Sequence, residues 1–387
     1  MTCAVIYPLH FTLQTQNISL TKKKFKWYEQ PFRWANIVLI FLTLLSYLTS
    51  FINPTFAGWL SILGLTYPIL LFFNIAFFLF WVYRKKATLA FSTFLCILIG
   101  WNYLTATIGV HYFSSTPQIS EQKLSIVTYN TRNFRITGQY DKDKQLEKLN
   151  ETLALITDKQ PDIFCGQEFN ISSRNAAFPN AIREKLSYFP HIVSSKSLMI
   201  SSKYPIINNG EVTTQANPKQ SNGNIFADIQ INNDFILRVY SVHLESNKVT
   251  DDTENMELDT ENLQTKSTWR TIYNILKSIK NNQKRRATQI KAIAEHIKGS
   301  PYPVIVCGDF NDTPLSYTVR QTNFLQDNFA KKGRGLASTY NGNIPFLRID
   351  YILSDRRFKV IETDIMKEYK ASDHFPMQST VSWEFKE

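Results

Sequence analysis

The sequence predicts an α+β fold of layered β-sheets flanked by helices, preceded by three transmembrane helices. Three observations carry this expectation. Long uncharged apolar stretches occupy the first third of the chain, many short β-type runs with few helical ones follow, and polar residues recur where those runs end. With 387 residues, 44% of them hydrophobic, the chain can build a sizeable core beyond any membrane part.

The stretches from Ala35 to Ile52, Gly58 to Val82 and Ala87 to Val110 contain no Asp, Glu, Lys or Arg. Each is long enough to cross a hydrocarbon layer of about 30 Å. Residues 35–113 are therefore expected to form a three-helix anchor embedded in the lipid bilayer. Its spans hold no ionisable group that would suit a channel or relay. Lys22, Lys23, Lys24, Lys26 and Arg33 precede the first span, and Arg84, Lys85 and Lys86 separate the second from the third. The positive-inside rule then makes residues 1–34 a cytoplasmic basic segment and places everything after the third helix on the opposite face, the periplasm in a two-membrane bacterium.

This asymmetry accounts for most of the net charge of +11, since residues 1–120 hold eight Lys or Arg against Glu29 alone. About +4 is left for the remainder, too little to indicate a phosphate-backbone footprint, and Lys284-Arg285-Arg286 reads as a solvated helix face. Cys165 and Cys307 lie in apolar strand contexts and are expected to be buried free thiols. No CxxC pair or close histidine cluster suggests zinc.

After a linker at 114–122, residues 123–387 read as one domain of alternating strands and helices. Leu124 to Tyr129 is a strand ending at Asn130, and Lys142 to Lys159 is an amphipathic helix with Leu146, Leu149, Leu153 and Ile156 on one face. Ile163 to Gly166 is a strand ending at Gln167-Glu168. Strands are expected at His191 to Ser195, Leu198 to Ser202, Ile225 to Ile231 and Phe235 to His243. An insertion, 246–284, shows no strand character and is either a lid or a surface excursion. A helix from Gln283 to Ile297 leads to the strand Val304-Ile305-Val306-Cys307. Ile349 to Leu353, Lys359 to Ile365 and Met377 to Trp383 complete the strands.

The polar residues fall at the ends of these strands. Gly308-Asp309-Phe310-Asn311 closes one strand with a carboxylate and a carboxamide two positions apart, which places both on one side of the strand end. Asn130, Glu168 and His243 follow apolar strands, Asp350 opens one, and Asp373-His374 precedes the last. Singly, each is a turn or solvated residue. Together, carboxylates, carboxamides and two histidines without a thiolate suit a hard, oxygen-seeking Mg²⁺ or Mn²⁺ ion and phosphodiester hydrolysis.

With Thr128-Tyr129-Asn130, Gln167-Glu168, Ser241-Val242-His243-Leu244-Glu245-Ser246, Gly308-Asp309-Phe310-Asn311, Arg348-Ile349-Asp350-Tyr351 and Ser372-Asp373-His374 in this order, the domain resembles the endonuclease/exonuclease/phosphatase superfamily. His243-Leu244 is similar to its deoxyribonuclease-like and sphingomyelinase-like branch. The resemblance implies a deoxyribonuclease-like β-sandwich and metal-dependent phosphoesterase activity. It also implies Glu168 as principal metal ligand with Asn130 and Asp373 in support. Asp309 and Asn311 would orient the attacking water, His243 and His374 would donate to phosphate oxygens, and Asp350 would hold His374 in its tautomer. It leaves the membrane segment and the substrate open: nucleic acid is expected first, a phospholipid headgroup second, and a catalytically silent membrane binding module third. No protein partner is identifiable.

Overall fold

The computed structural model describes residues 26–111, 122–134, 141–169, 186–214, 223–246, 266–342 and 346–384, with Ile182 and Glu184. The basic run Lys22-Lys23-Lys24, most of the linker and most of the insertion lie outside them.

The apolar segment folds as helices α1 (Gln30–Thr49), α2 (Pro54–Ser61), α3 (Tyr67–Tyr83), α4 (Ala87–Ile99) and α5 (Trp101–Thr107). Two helical stretches, Trp27–Thr49 and Pro54–Tyr83, are long and apolar enough to cross a membrane. The third predicted span is not straight: α4 and α5 are bent by 73° at Gly100. A Cβ on Gly100 would sit 2.1 Å from the Tyr47 hydroxyl, so the missing side chain permits this close approach. The end of that stretch, Ile108–Val110, is a strand (β1), because tertiary pairing can claim backbone that hydropathy alone assigns to a span. Inside the bundle, Asn36 Oδ1 accepts from Trp81 Nε1 at 2.9 Å and from Thr93 Oγ1 at 3.1 Å, joining α1, α3 and α4.

The remainder of the chain adds strands β2 (Lys123–Asn130), β3 (Ile163–Gln167), β4 (His191–Ser195), β5 (Leu198–Ser202), β6 (Ile206–Glu211), β7 (Asn224–Gln230) and β8 (Ile236–His243). They are followed by β9 (Val304–Asp309), β10 (Gln326–Asp327), β11 (Arg334–Leu336), β12 (Asp350–Ser354), β13 (Lys359–Ile365) and β14 (Met377–Ser382). The helices are α6 (Lys142–Lys159), α7 (Lys266–Lys298), α8 (Tyr317–Arg320) and α9 (Asn328–Lys332). Two six-stranded sheets result, in the orders β10-β12-β9-β8-β7-β6 and β13-β14-β2-β3-β5-β4, while β1 pairs with β11. Strand β6 and the short β10 and β11 went unforeseen. The predicted helix at 283–297 is the carboxyl half of the longer α7, which begins inside the expected insertion.

Each sheet has one parallel pair, β2 with β3 and β8 with β9, and the connection in each case carries a helix, α6 or α7. The inner faces pack on one another through Ile126, Ile163, Ile200, Leu237, Val239 and Ile352. Leu149, Leu153 and Ile156 of α6 cover one outer face, and Ile290, Ile293 and Ile297 of α7 the other. Cys165 and Cys307 are buried and free, as expected.

Candidate active site

Because both parallel pairs carry crossover helices, the carboxyl ends of β2, β3, β8 and β9 present Asn130, Gln167, His243 and Asp309. The sheets are joined beneath the site by Gln167, whose Nε2 donates to Ser241 Oγ at 3.0 Å. Residue His243 is in register with Asp309, and Asp309 with Asp350 on the antiparallel neighbour. Adjacent backbones set these spacings, so the side chains converge without long reach.

The Asp309 carboxylate, 1% exposed, is at the centre. Its Oδ1 accepts the Asn311 N–H at 2.8 Å, and its Oδ2 accepts Asn311 Nδ2 at 2.9 Å and Asn130 Nδ2 at 3.0 Å. Both histidines approach the same oxygen through Nε2, His243 at 3.7 Å and His374 at 3.9 Å. Burial raises the Asp309 pKa to about 6, the Asp350 charge adds to this, and the two histidines oppose it.

On His374 the Nδ1–H donates to both Asp350 oxygens, at 3.1 and 2.9 Å. Burial alone would lower this imidazole's pKa, but the Asp350 and Asp309 charges and the Asp350 hydrogen bond raise it well above the usual histidine range. Thr339 Oγ1 accepts the backbone N–H groups of Ile349 and Asp350, fixing the strand that carries Asp350. The other histidine differs: His243 is buried, and neither ring nitrogen has a hydrogen-bond partner among the described residues. An orphaned buried imidazole beside two carboxylates fits a site shaped for a ligand.

Glu168 adopts a left-handed backbone, φ 47°, which turns its side chain toward the site. Its Oε2 accepts Asn133 Nδ2 at 3.1 Å and its Oε1 lies 3.8 Å from His243 Nε2. At 27% exposure it is open to a ligand. Arg132, Asn133, Phe134 and Asn311 share the left-handed conformation, so non-glycine strain is concentrated at the site's rim.

The structure thus gathers Asn130, Glu168, His243, Asp309, Asn311, Asp350 and His374. Asp373 takes another partner: its Oδ2 lies 3.5 Å from Arg132 Nε, and its Oδ1 accepts Ser372 Oγ. Sequence reasoning missed Arg132, Asn133 and Thr339 as supports. An Asn three residues beyond a strand end is a tolerant left-handed residue, and that was the available signal for Asn133.

Residues 29–107 match the model of a domain of unknown function (DUF8431). No curated protein matches the chain. Among solved structures, an endonuclease/exonuclease/phosphatase family protein from Bacteroides thetaiotaomicron is 14% identical, with a TM-score of 0.48, over 69% of this chain and 100% of that one. A mannosyl-6-phosphatase from the same organism is 15% identical, with a TM-score of 0.47, over 67% and 100%. TDP2 of D. rerio, bound to a single-strand DNA product, is 15% identical, with a TM-score of 0.46, over 67% and 99%. The family model described as Endonuclease/Exonuclease/phosphatase family matches residues 127–374, well over half of the sequence, and so the chain belongs to that family of phosphoesterase hydrolases.

Proposed function

We propose that the protein is a membrane-tethered, divalent-metal-dependent phosphodiesterase whose catalytic domain lies on the extracytoplasmic face. The observation that carries this reading is the convergence of a hydrogen-bonded Asp309, the Asp350–His374 pair and the unpartnered His243 on one point. Asp309, with a pKa of about 6, is ionised at neutral pH and basic enough to take a proton from an attacking water. Asn130 and Asn311 hold it still. His374, kept protonated by Asp350, donates to a phosphate or leaving oxygen, and His243 supplies a second nitrogen to the same phosphate.

Glu168 fits a Mg²⁺ or Mn²⁺ ion, because it is a hard oxygen donor with one oxygen free of amide contact. Asp309, Asp350 and His374 also bring ligand atoms within 4.8 Å of one another, but Asp350 and His374 spend those atoms on each other, and an imidazolium repels a cation. Asn130 acts as a positioning residue, since its amide donates to Asp309 and its oxygen accepts the Arg132 N–H at 3.0 Å. Asp373 supports the rim through Arg132. When bound, the metal would withdraw charge from the phosphate and neutralise it.

Preference for a diester follows from charge. Around the site Arg132, Arg286 and Arg348 pair with Asp373, Asp312 and Asp327. Among the described residues at the site, the protein cations left to meet phosphate beside the metal are imidazoles, which suit a monoanionic diester better than a dianionic monoester. Both nucleic acid and phospholipid offer that linkage. The test is hydrolysis of bis(4-nitrophenyl) phosphate by the full chain in detergent, with Mg²⁺, Mn²⁺ or chelator. Metal-dependent turnover that falls roughly 100-fold or more in Asp309→Ala and in His374→Ala is expected. Silence with every divalent ion would overturn the reading in favour of a membrane binding module.

A further inference from the structure

The catalytic end of the sandwich is also the end that meets the membrane helices. Leu315, four residues beyond Asn311, is buried among Tyr47, Tyr67 and Leu71, and Thr49 Oγ1 donates to its carbonyl at 3.1 Å. Two residues before Asp350, Arg348 Nη1 donates to the Ala106 carbonyl of α5 at 2.9 Å. Helix α7 spans the same gap: Gln283 hydrogen-bonds Ser61 of α2, and Gln289 accepts the N–H of Glu245, two residues past His243. Six helical residues cover roughly 9 Å. A headgroup layer is about 6 Å deep on each side of the hydrocarbon, a length of the same order as this spacing.

Resting on the phosphodiesterase reading above, we propose that the substrate is a phospholipid-class diester resident in the adjoining leaflet, and that α2 with the amino-terminal half of α7 docks the domain on that leaflet. Helix α7 and the segment around α2 form a mixed aromatic and basic surface. Phe51, Phe56, Trp59 and Tyr273 are exposed there, Phe56 at 89%. The rings of Trp59 and Tyr273 lie 6.0 Å apart, Lys280 Nζ is 4.4 Å from the Trp59 ring, and the Arg320 guanidinium is 3.5 Å from the Phe51 ring. From Lys266 to Ala294 the sequence has eight Lys or Arg and no acidic residue; Arg286 is buried against Asp312 and Arg285 pairs with Glu245, so the basic surface is carried by the others, the exposed Arg270 and Lys277 among them.

An amphipathic basic helix beside exposed aromatics has the chemistry of an interfacial element: rings enter the headgroup boundary and cations meet lipid phosphates. The segment around α2 is joined in the chain to the apolar spans on both sides, where Phe41 of α1 and Phe72 of α3 are exposed as well. This continuity identifies lipid as the occupant. A single-stranded nucleic acid stacks bases on exposed rings too, so it is the join to the apolar spans, and not the rings alone, that selects lipid.

The test uses the full chain reconstituted in vesicles of phosphatidylcholine with phosphatidylglycerol. Release of water-soluble phosphate products from the vesicle lipid is measured beside cleavage of a single-stranded DNA oligonucleotide and of bis(4-nitrophenyl) phosphate. Leaflet lipid should be hydrolysed faster than the DNA. The combined variant Phe56→Glu, Arg270→Glu, Lys277→Glu should lose about tenfold on lipid with the soluble diester unchanged. Because all three side chains are exposed, an unchanged soluble activity also certifies the fold. Faster cleavage of DNA, or soluble turnover without lipid turnover, or a variant unaffected on lipid, would overturn the docking proposal alone. Failure to cleave the soluble diester would instead overturn the phosphodiesterase reading beneath it.

Discussion

Asp309 is a carboxylate whose burial works against its charge. Burial and the Asp350 charge raise its folded pKa to about 6, above the value of an unfolded chain, so its stabilising contribution is fully present below about pH 4 and is lost as pH rises through about 6. In metal-free protein, Asp309→Asn should therefore raise stability at pH 7 to 8 by an amount on the order of 1–3 kcal/mol and lose that advantage by pH 4, while turnover collapses. Thermal unfolding in chelator at the two pH values checks this; a destabilised Asn variant at pH 8 would refute it. Activity should show an acid limb near 6 from Asp309, and an alkaline limb from loss of the His374 proton. Asp350→Asn removes the charge that keeps His374 protonated and should move the alkaline limb to lower pH, which a pH–rate profile on a soluble diester measures.

At the scale of elements, α6 shows what periodicity can deliver. Its predicted bounds match, its apolar face is buried, and Asp141 caps it by accepting the N–H groups of Asp143 and Lys144. Most of the strands carrying site residues are equally plain, because an apolar run ending in a polar residue is a local pattern. The junction at Gly308 is less local. Its φ is +141°, and a Cβ there would lie 2.0 Å from the Val242 carbonyl, so β9 approaches β8 only because position 308 lacks a side chain. Gly308→Ala should cost about 3 kcal/mol or more and displace Asp309, which a lower midpoint in denaturant together with lost turnover would reveal; a neutral substitution would refute the close approach. Helix α7 was half legible. Its polar amino-terminal half packs along α2, a partner more than two hundred residues away that no periodicity shows.

On the scale of the whole molecule, the apolar amino-terminal region and the phosphoesterase-family domain share backbone pairing. Strand β1 pairs with β11 from Ile108–Leu336 to Val110–Arg334, Leu315 is seated among anchor residues, and Arg348 reaches the Ala106 carbonyl. A fragment starting near Pro117 loses all three contacts. It should unfold several degrees below the full chain and bind a hydrophobic dye, since the Leu315 seat and the α7 face become exposed. Equal melting temperatures for fragment and full chain would show instead that the anchor is a passive tether.

What the sequence determined by itself was the chemistry and its order along the chain: which strands end in carboxylate, carboxamide or imidazole, and that the first third carries apolar stretches long enough to cross a bilayer, of which it predicted three and two are helices of sufficient length. These are local facts, set by hydropathy, periodicity and the preferences of strand ends. Only the tertiary structure decided that Asp373 turns to Arg132, that the third apolar stretch bends at Gly100 and ends in a β-strand, and that the sheet edge carrying the candidate site meets the apolar amino-terminal helices. Each depends on a partner distant in sequence, and the free energy of a long-range contact leaves no mark on the local pattern.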